Sequence, residues 1–526
     1  MSSDALTVPV LLAGHAQEHP TKDFIVCDGS SITFGELDQA SREVAGRMVA
    51  AGVGKWSRVG LLMPNGIDWA VVAAAVMRVG ATLVPLSTLL RPPELHAQLT
   101  TAKVTELVAV PDFRGRDYLA DLEEAFPGLP AALRGGRLHP SLPSLRNVWT
   151  WGDMPSERVG DDLVAALEAG VRPADDMVIL FTSGSRGAPK GVIHTHGNAI
   201  RAVAAGLGCR CVGPDDRLYI PMPFFWTGGF SGGLMTVLVA GATLVTEAVT
   251  DLDGTLDVLE RERVTLFRGW PDQASRVAAS PRFATADLSS LRQGSLPGVL
   301  PADRRPDPAA RASLFGMTET FGPYAADPLD RDMPRSKWGS CGRPFPGVGL
   351  LIADPATGVA VGPGQTGEIL VRGANIMRGI CGRTREETFD RDTYYHTGDV
   401  GSVDADGYLW YLGRVDDMFK VKGATVYPTE VERALREVDG VAEAFVADLP
   451  LPGGGRCIGA AVVSPLSLDV IARAARDRLS SFKVPTRWFV TARPDDVPRS
   501  ATGKVAKAAL QELLETHGVR AGKDQS

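Results

Sequence analysis

Long apolar runs are missing from this sequence. The two longest, Trp69 to Met77 (ended by Arg78) and Gly232 to Val245, fall short of the roughly 20 residues a membrane-spanning helix needs. A large excess of charge of one sign is missing too. Lys and Arg number 55 against 62 Asp and Glu, which gives no global support to a nucleic-acid groove or a patch for anionic membranes. Met1 to Pro20 hold no basic segment followed by an apolar one, so no secretory signal is read there. Cysteine is sparse, six in 526 residues, and only Cys209 and Cys211 lie close together. One C-x-C without a second pair or a nearby histidine is poor support for a metal site; buried, reduced thiols are expected. What remains is a soluble, cytoplasmic, enzyme-sized chain, too long for one core and expected to form two or more domains.

The elements that are present alternate. Ile32-Thr33-Phe34-Gly35-Glu36-Leu37 opens a helical pattern with apolar positions at Leu37, Ala40, Val44, Ala45 and Met48, and Gly52 as its stop. A strand at Val59–Met63, a helix near Trp69–Val79 and a strand at Ala81–Pro85 have the spacing of a βαβ unit, which implies a parallel sheet covered by helices. Further strands are expected at Glu106–Val110 and Val264–Phe267. The Pro-, Gly-, Ser- and Arg-rich stretch from Pro127 to Pro155 reads as surface connection. From Gly367 the pattern turns to strands joined by turns, at Gly367–Gly373 and Gly407–Leu412. A helix at Thr429–Val438, a strand at Ala442–Ala447 and a helix at Leu468–Leu479 behind Ser467 then suit a compact α+β domain of their own.

The chemistry concentrates after the apolar strand Met177-Val178-Ile179-Leu180-Phe181. It empties into Thr182-Ser183-Gly184-Ser185-Arg186-Gly187-Ala188-Pro189-Lys190-Gly191. Glycines let several main-chain N–H groups point at one anion, the hydroxyls of Thr182, Ser183 and Ser185 add neutral donors, and Lys190 adds a cation. This is a polyphosphate cradle in kind, but not of the Walker type, because Pro189 precedes the lysine and Gly191 follows it. The competing reading is a Gly/Ser-rich surface linker, which rarely sits directly behind a buried strand.

Ser-Gly-Ser-x-Gly-x-Pro-Lys-Gly resembles the phosphate loop of the adenylate-forming superfamily, which includes acyl-CoA and aryl-CoA synthetases. The resemblance continues in order along nearly the whole chain. Phe315-Gly316-Met317-Thr318-Glu319 is similar to the family's Tyr-Gly-x-Thr-Glu, which implies Glu319 on Mg²⁺, Thr318 facing the α-phosphate and Phe315 stacked on adenine. Tyr394-Tyr395-His396-Thr397-Gly398-Asp399 resembles Trp-Phe-x-Thr-Gly-Asp and implies Asp399 on the ribose hydroxyls, with Arg414 as a cation on the ribose–phosphate side. Asp416 would stand at a hinge, Gly423 beside the pantetheine arm, and Lys504, in Pro498-Arg499-Ser500-Ala501-Thr502-Gly503-Lys504, on the carboxylate and α-phosphate during adenylation. The segment Pro221–Gly229 resembles one lining the acid pocket, which places Phe225, Trp226, Gly228 and Gly229 there, with Trp226 where many members carry histidine. Gly184 and Gly187 shape the phosphate loop, and Arg186 replaces a hydroxyl within it. Gly294 to Ala312 departs from the usual Gly-Gly-Ala-Pro-Leu pattern. For His194 and His196, close behind the loop, a packing or capping role is expected.

The resemblance implies an α/β fold: a large N-terminal domain, residues 1–414, of parallel-sheet βα subdomains plus a β-rich subdomain, and a small mobile α+β domain, 415–526. It implies an ATP-dependent carboxylic acid–CoA ligase using ATP, Mg²⁺ and coenzyme A, with a small-molecule acid as partner, as a monomer or homodimer. Two rivals keep the fold and change the acceptor: loading of a carrier protein, or activation of nitrite to diazotise an arylamine. A third is a nucleotide-binding protein without catalysis, against which stand Lys190, Glu319, Asp399, Arg414 and Lys504 together. The acid itself, aryl or medium acyl, stays open.

Overall fold

A computed structural model of the chain describes residues 6–134, 136–182, 190–415, 419–421, 424–451, 456–479, 481, 483–499 and 505–521. The chain divides into two units, Met1–Leu350 with Val371–Tyr395, and Leu351–Leu370 with His396–Ser526.

The first unit is organised around the helix Ile67–Arg78, in which every residue from Trp69 to Arg78 is buried. A helix that is apolar on all sides has to be covered on all sides. Its neighbours in the core come from two different sheets, Val59, Leu61 and Val178 from one and Phe24, Leu218 and Leu244 from the other. Arg78 is 1% exposed and is tolerated because Asp38, at 2.6 Å, and Glu168 take its guanidinium. An unpaired buried charge would cost several kcal/mol. The apolar run is therefore the middle layer of a large core, and no helix among the described residues is long and apolar enough to cross a membrane.

One of the two sheets has the strand order Gly379–Ile380, Lys190–Thr195, Asp176–Thr182, Thr82–Pro85, Arg58–Leu62, Glu106–Ala109, Asn147–Thr150. Its pairs are parallel from Asp176–Thr182 onward, as the βαβ spacing implied, while Lys190–Thr195 runs antiparallel to both its neighbours. The other sheet has the order Leu266–Phe267, Arg217–Tyr219, Thr243–Thr246, Asp23–Cys27, Ser30–Thr33. The helix Phe34–Ala50 starts where the sequence indicated: Thr33 and Glu36 form a reciprocal capping box. It ends two residues before Gly52, whose φ is +90°. The stretch expected to be mere connection, 127–155, contains the helix Leu129–Arg134 and the strand Asn147–Thr150. That strand pairs with Glu106–Ala109 and extends the sheet by one.

The second unit contains a three-stranded sheet, with Glu443–Pro450 antiparallel and Arg487–Thr491 parallel to the central Arg456–Val463. The helices Pro428–Arg436 and Leu468–Arg478 cover it through Val431, Leu435, Ile471, Ala472 and Ala475. Ser467 holds the N-cap position of the second helix but makes no side-chain cap bond. A four-stranded sheet, in the order Val348–Ala353, Gly367–Gly373, Tyr395–Val403, Leu409–Arg414, is cut by the unit boundaries. All six cysteines are free thiols.

Candidate active site

Thr182 and Lys190 face each other as Cα partners at the end of the antiparallel pair Asp176–Thr182 and Lys190–Thr195. The segment they close, with Ser183, Gly184, Ser185, Arg186 and Gly187, lies outside the described residues, as do Asp416, Gly423 and Lys504. Lys190 makes no ion pair among the described residues, which leaves its cation available to a ligand.

The strand that begins at Lys190 also holds the Thr318–Glu319 turn. Asn198 accepts from the Thr195 N–H through Oδ1 at 2.6 Å, so its amide nitrogen is the donor to His194 Nδ1 at 2.8 Å. His194 then carries its proton on Nε2 and donates it to the Thr318 carbonyl at 2.8 Å. Burial pushes the His194 pKa down to about 4, which keeps the ring in this neutral form at ordinary pH. Its ring packs edge-to-face with that of Phe321, 4.9 Å between centroids. The expected capping role belongs instead to Thr195, the N-cap of His196–Arg210 in a capping box with Asn198. His196 is buried in packing and accepts the Val8 N–H.

Thr318 and Glu319 are held at further polar groups as well. The hydroxyls of Thr227 and Thr318 are 3.0 Å apart. The Met377 N–H donates to the Glu319 carbonyl at 2.9 Å and the Phe321 N–H to the Thr318 carbonyl at 2.9 Å. Phe321 reaches that position by adopting φ +54°. Glu319 is 5% exposed, and the Tyr395 hydroxyl donates to its Oε1 at 3.0 Å. Among the described residues nothing bonds Oε2. A buried carboxylate with one oxygen held and one open is a fitting donor for Mg²⁺, which takes one or two carboxylates and fills its shell with phosphate and water. No group of three or more His, Cys, Asp or Glu that could cage a metal exists among the described residues. Phe315 lies edge-on to Tyr324 on the neighbouring strand. Gly316 has no room for a side chain, since an added Cβ would meet the Gly322 carbonyl at 2.1 Å.

In the segment Pro221–Gly229, Trp226 contacts Phe225 and, at 5.8 Å between ring centroids, Trp270. An added Cβ on Gly229 would sit 2.1 Å from the Pro223 carbonyl, and one on Gly228 2.6 Å from Met222 Sδ. A π-helical stretch, Phe230–Met235, follows. Phe225 lines a cleft of about 450 Å³ whose walls also include Thr88, Tyr118 and three arginines, Arg91, Arg114 and Arg116. The departing segment from Gly294 is a run of tight turns at Pro297–Val299, Ala302–Arg304 and Pro308–Ala310. Its arginines are engaged by main-chain carbonyls, Arg304 on Leu291 and Arg305 on Leu300.

In the second unit Asp399 and Arg414 are cross-strand partners, with Arg414 NH1 2.8 Å from Asp399 Oδ1. The turn before them is fixed from below: Thr397 donates to the Ile369 carbonyl, and Gly398, at φ +70°, donates its N–H to Glu368.

Sequence reasoning passed over His194, Thr227, Tyr395 and Met377 as parts of this site. Their signal is spatial: the bonds to Thr318 and Glu319 span 124, 91 and 76 residues for the first three.

The AMP-binding enzyme family matches residues 12–381. A methyl-dioxo-octahydroindenyl-propanoyl:CoA ligase from Mycobacterium tuberculosis is 34% identical over 98% of this chain and 100% of its own. A feruloyl-CoA synthase from Amycolatopsis is 33% identical over 92% of this chain and 94% of its own. The crystal structure of an anthranilate CoA ligase, at 23% identity, superposes with a TM-score of 0.78 over 98% of this chain and 99% of that one, a likeness of fold. The chain belongs to the AMP-binding enzyme family, among its adenylate-forming ligases that join a carboxylic acid to CoA at the expense of ATP.

Proposed function

We propose that this ligase activates a carboxylic acid carrying a ring system on a short arm, and that Lys190, Thr318, Glu319 and Lys504 act on the phosphates while it does so. The observation that carries the assignment of roles is the pinned Thr318–Glu319 turn, whose buried carboxylate keeps one oxygen open. The carboxylate of the acid attacks the α-phosphorus of ATP, the bond to the β-phosphate oxygen breaks, and pyrophosphate leaves. The thiol of CoA then attacks the acyl carbon of the adenylate, releasing AMP. Bound Mg²⁺, held through Glu319, would reduce the negative charge that otherwise repels the incoming carboxylate. Lys190 and Lys504 would balance the charge that moves onto pyrophosphate and the α-phosphate. Asp399, steadied by Arg414, offers the acceptor that ribose hydroxyls need.

The substrate class rests on two supports. The Mycobacterium relative is named for an acid with a fused ring system on a propanoyl arm, and the Amycolatopsis relative for a feruloyl group. In this chain the pocket-like segment brings two indole rings together, Trp226 and Trp270, which offer flat apolar surface to a ring. The cleft lined by Phe225 and three arginines fits the phosphate-bearing end of CoA, because guanidinium forks suit phosphate oxygens.

The test is acid-dependent ATP–pyrophosphate exchange with a panel of ring-bearing, cinnamoyl, short and medium-chain acids and nitrite, and Lys504→Ala as control. Exchange with ring-bearing acids, abolished in Lys504→Ala while that variant still makes thioester from supplied acyl-adenylate, is the expected result. Exchange confined to straight-chain acids would sink the substrate class, and a Lys504→Ala enzyme that exchanges normally would sink the lysine's role.

A further inference from the structure

Tyr395 stands where the family pattern quoted above has phenylalanine, so its hydroxyl is not part of that pattern. That hydroxyl lies 3.0 Å from Glu319 Oε1 and donates to it. Tyr395 opens the strand Tyr395–Val403, is buried, and has its ring edge-on to Phe389. The Glu319 main chain is fixed by Met377 and the preceding carbonyl by His194. Those anchors fix the main chain, and the Tyr395 hydroxyl is the described bond that restrains the Glu319 carboxylate itself.

We infer that Tyr395 is a positioning residue that sets the metal preference of the site, an inference that rests on Glu319 being the metal ligand. Holding Oε1 uses one of its lone pairs and fixes its direction, so Glu319 would meet the cation chiefly through Oε2. Mg²⁺ demands near-octahedral geometry at short distance, which a single carboxylate oxygen among phosphate and water oxygens satisfies. Ca²⁺ accepts larger, irregular shells and takes carboxylates through both oxygens. A carboxylate held at Oε1 suits the first cation and disfavours the two-oxygen mode of the second. Partners that orient a ligating carboxylate in this way typically matter 10- to 100-fold to metal affinity.

The experiment measures calorimetric dissociation constants of ATP, without acid or CoA, in three forms: metal-free with chelator, with saturating Mg²⁺, and with saturating Ca²⁺. The proteins are the wild type, Tyr395→Phe and Glu319→Gln. Tyr395→Phe removes one oxygen atom and leaves the buried ring, so the fold is retained, which a thermal melt checks. The expected result is that Tyr395→Phe weakens Mg·ATP about tenfold, leaves metal-free ATP unchanged, and weakens Ca·ATP much less or strengthens it. Equal losses for all three forms would mean that the tyrosine only supports the local structure, and unchanged Mg·ATP affinity would mean that the hydroxyl plays no part; either overturns the inference. Glu319→Gln separates the two layers. If it leaves Mg·ATP binding intact, the reading of Glu319 fails. If it weakens Mg·ATP while Tyr395→Phe does not, the role of Tyr395 alone fails.

Discussion

Replacing His194 by leucine tests whether the site is held from the strand that carries Lys190. The ring is fully buried, so each bond it makes is lost without water to replace it. Thr318 keeps one donor, the Phe321 N–H, and its carbonyl therefore loses at the low end of the usual cost, about 1 kcal/mol. The Asn198 amide loses the acceptor for its NH₂ group and has no other described partner there, at about 1–3 kcal/mol. Together this is about 2–4 kcal/mol of stability, a fall of several degrees in Tm at this chain length. The larger effect is expected on chemistry. A turn displaced by about 1 Å can cost on the order of 100-fold in rate when it positions reacting groups. The assay is ATP–pyrophosphate exchange beside a thermal melt, on His194→Leu and His194→Gln. Glutamine can donate its amide to the Thr318 carbonyl and accept from Asn198, so it is expected to recover most of the exchange rate. If His194→Leu exchanges like the wild type, the holding role is wrong. If glutamine does no better than leucine in a folded protein, the ring's packing on Phe321 is what matters, not its hydrogen bonds.

Other consequences are open to direct measurement. His194 and His196 both have pKa values lowered by burial from 6.5 to about 4. Between those values the unfolded chain binds protons that the folded chain refuses, so this stability is complete above pH 6.5 and is lost as pH falls toward 4. The slope is about 1.4 kcal/mol per pH unit for each histidine. His196→Gln, whose side-chain oxygen can still accept the Val8 N–H, is expected to lose less Tm than the wild type between pH 7 and pH 5; identical pH slopes would contradict the burial argument. Gly229→Ala drives a methyl group onto the Pro223 carbonyl and is expected to destabilise by about 3 kcal/mol or to give little soluble protein; a normal melting curve would show that the segment can shift. Arg114 is exposed and has no ion pair among the described residues, so Arg114→Ala is expected to raise KM for CoA by about two- to fivefold, allowing for solvent screening. Its ATP–pyrophosphate exchange should not change, and a loss there with KM for CoA intact would move the cleft to another ligand.

What could be read in the sequence, and what could not, follows from where the information lies. The capping boxes at Thr33–Glu36 and Thr195–Asn198 are local, and the helix Phe34–Ala50 was legible to within a turn. The helix Ile67–Arg78 announced its burial by being apolar on every face. The strand Asn147–Thr150 was not legible, because two apolar residues, Val148 and Trp149, among Pro, Gly and Arg carry no periodicity; its neighbour Glu106–Ala109 supplies the pairing that makes it a strand. The candidate site divides the same way. Thr318, Glu319, Lys190 and Asp399 belong to short patterns because reactive groups sit on turns, where glycine and hydroxyl residues leave a local signature. The residues that hold those turns, His194, Thr227 and Tyr395, are ordinary members of strands and a short helix, and only folding brings them within bonding distance. A shared motif therefore specifies the reaction, while the residues behind it are free to differ between chains that perform the same chemistry. The hydroxyl of Tyr395 on Glu319 is such a difference, bonded to one oxygen of the carboxylate whose other oxygen would meet the metal. Divergence in metal or substrate preference within a family of this kind should accordingly be sought in the residues that hold the motif, more than in the motif itself.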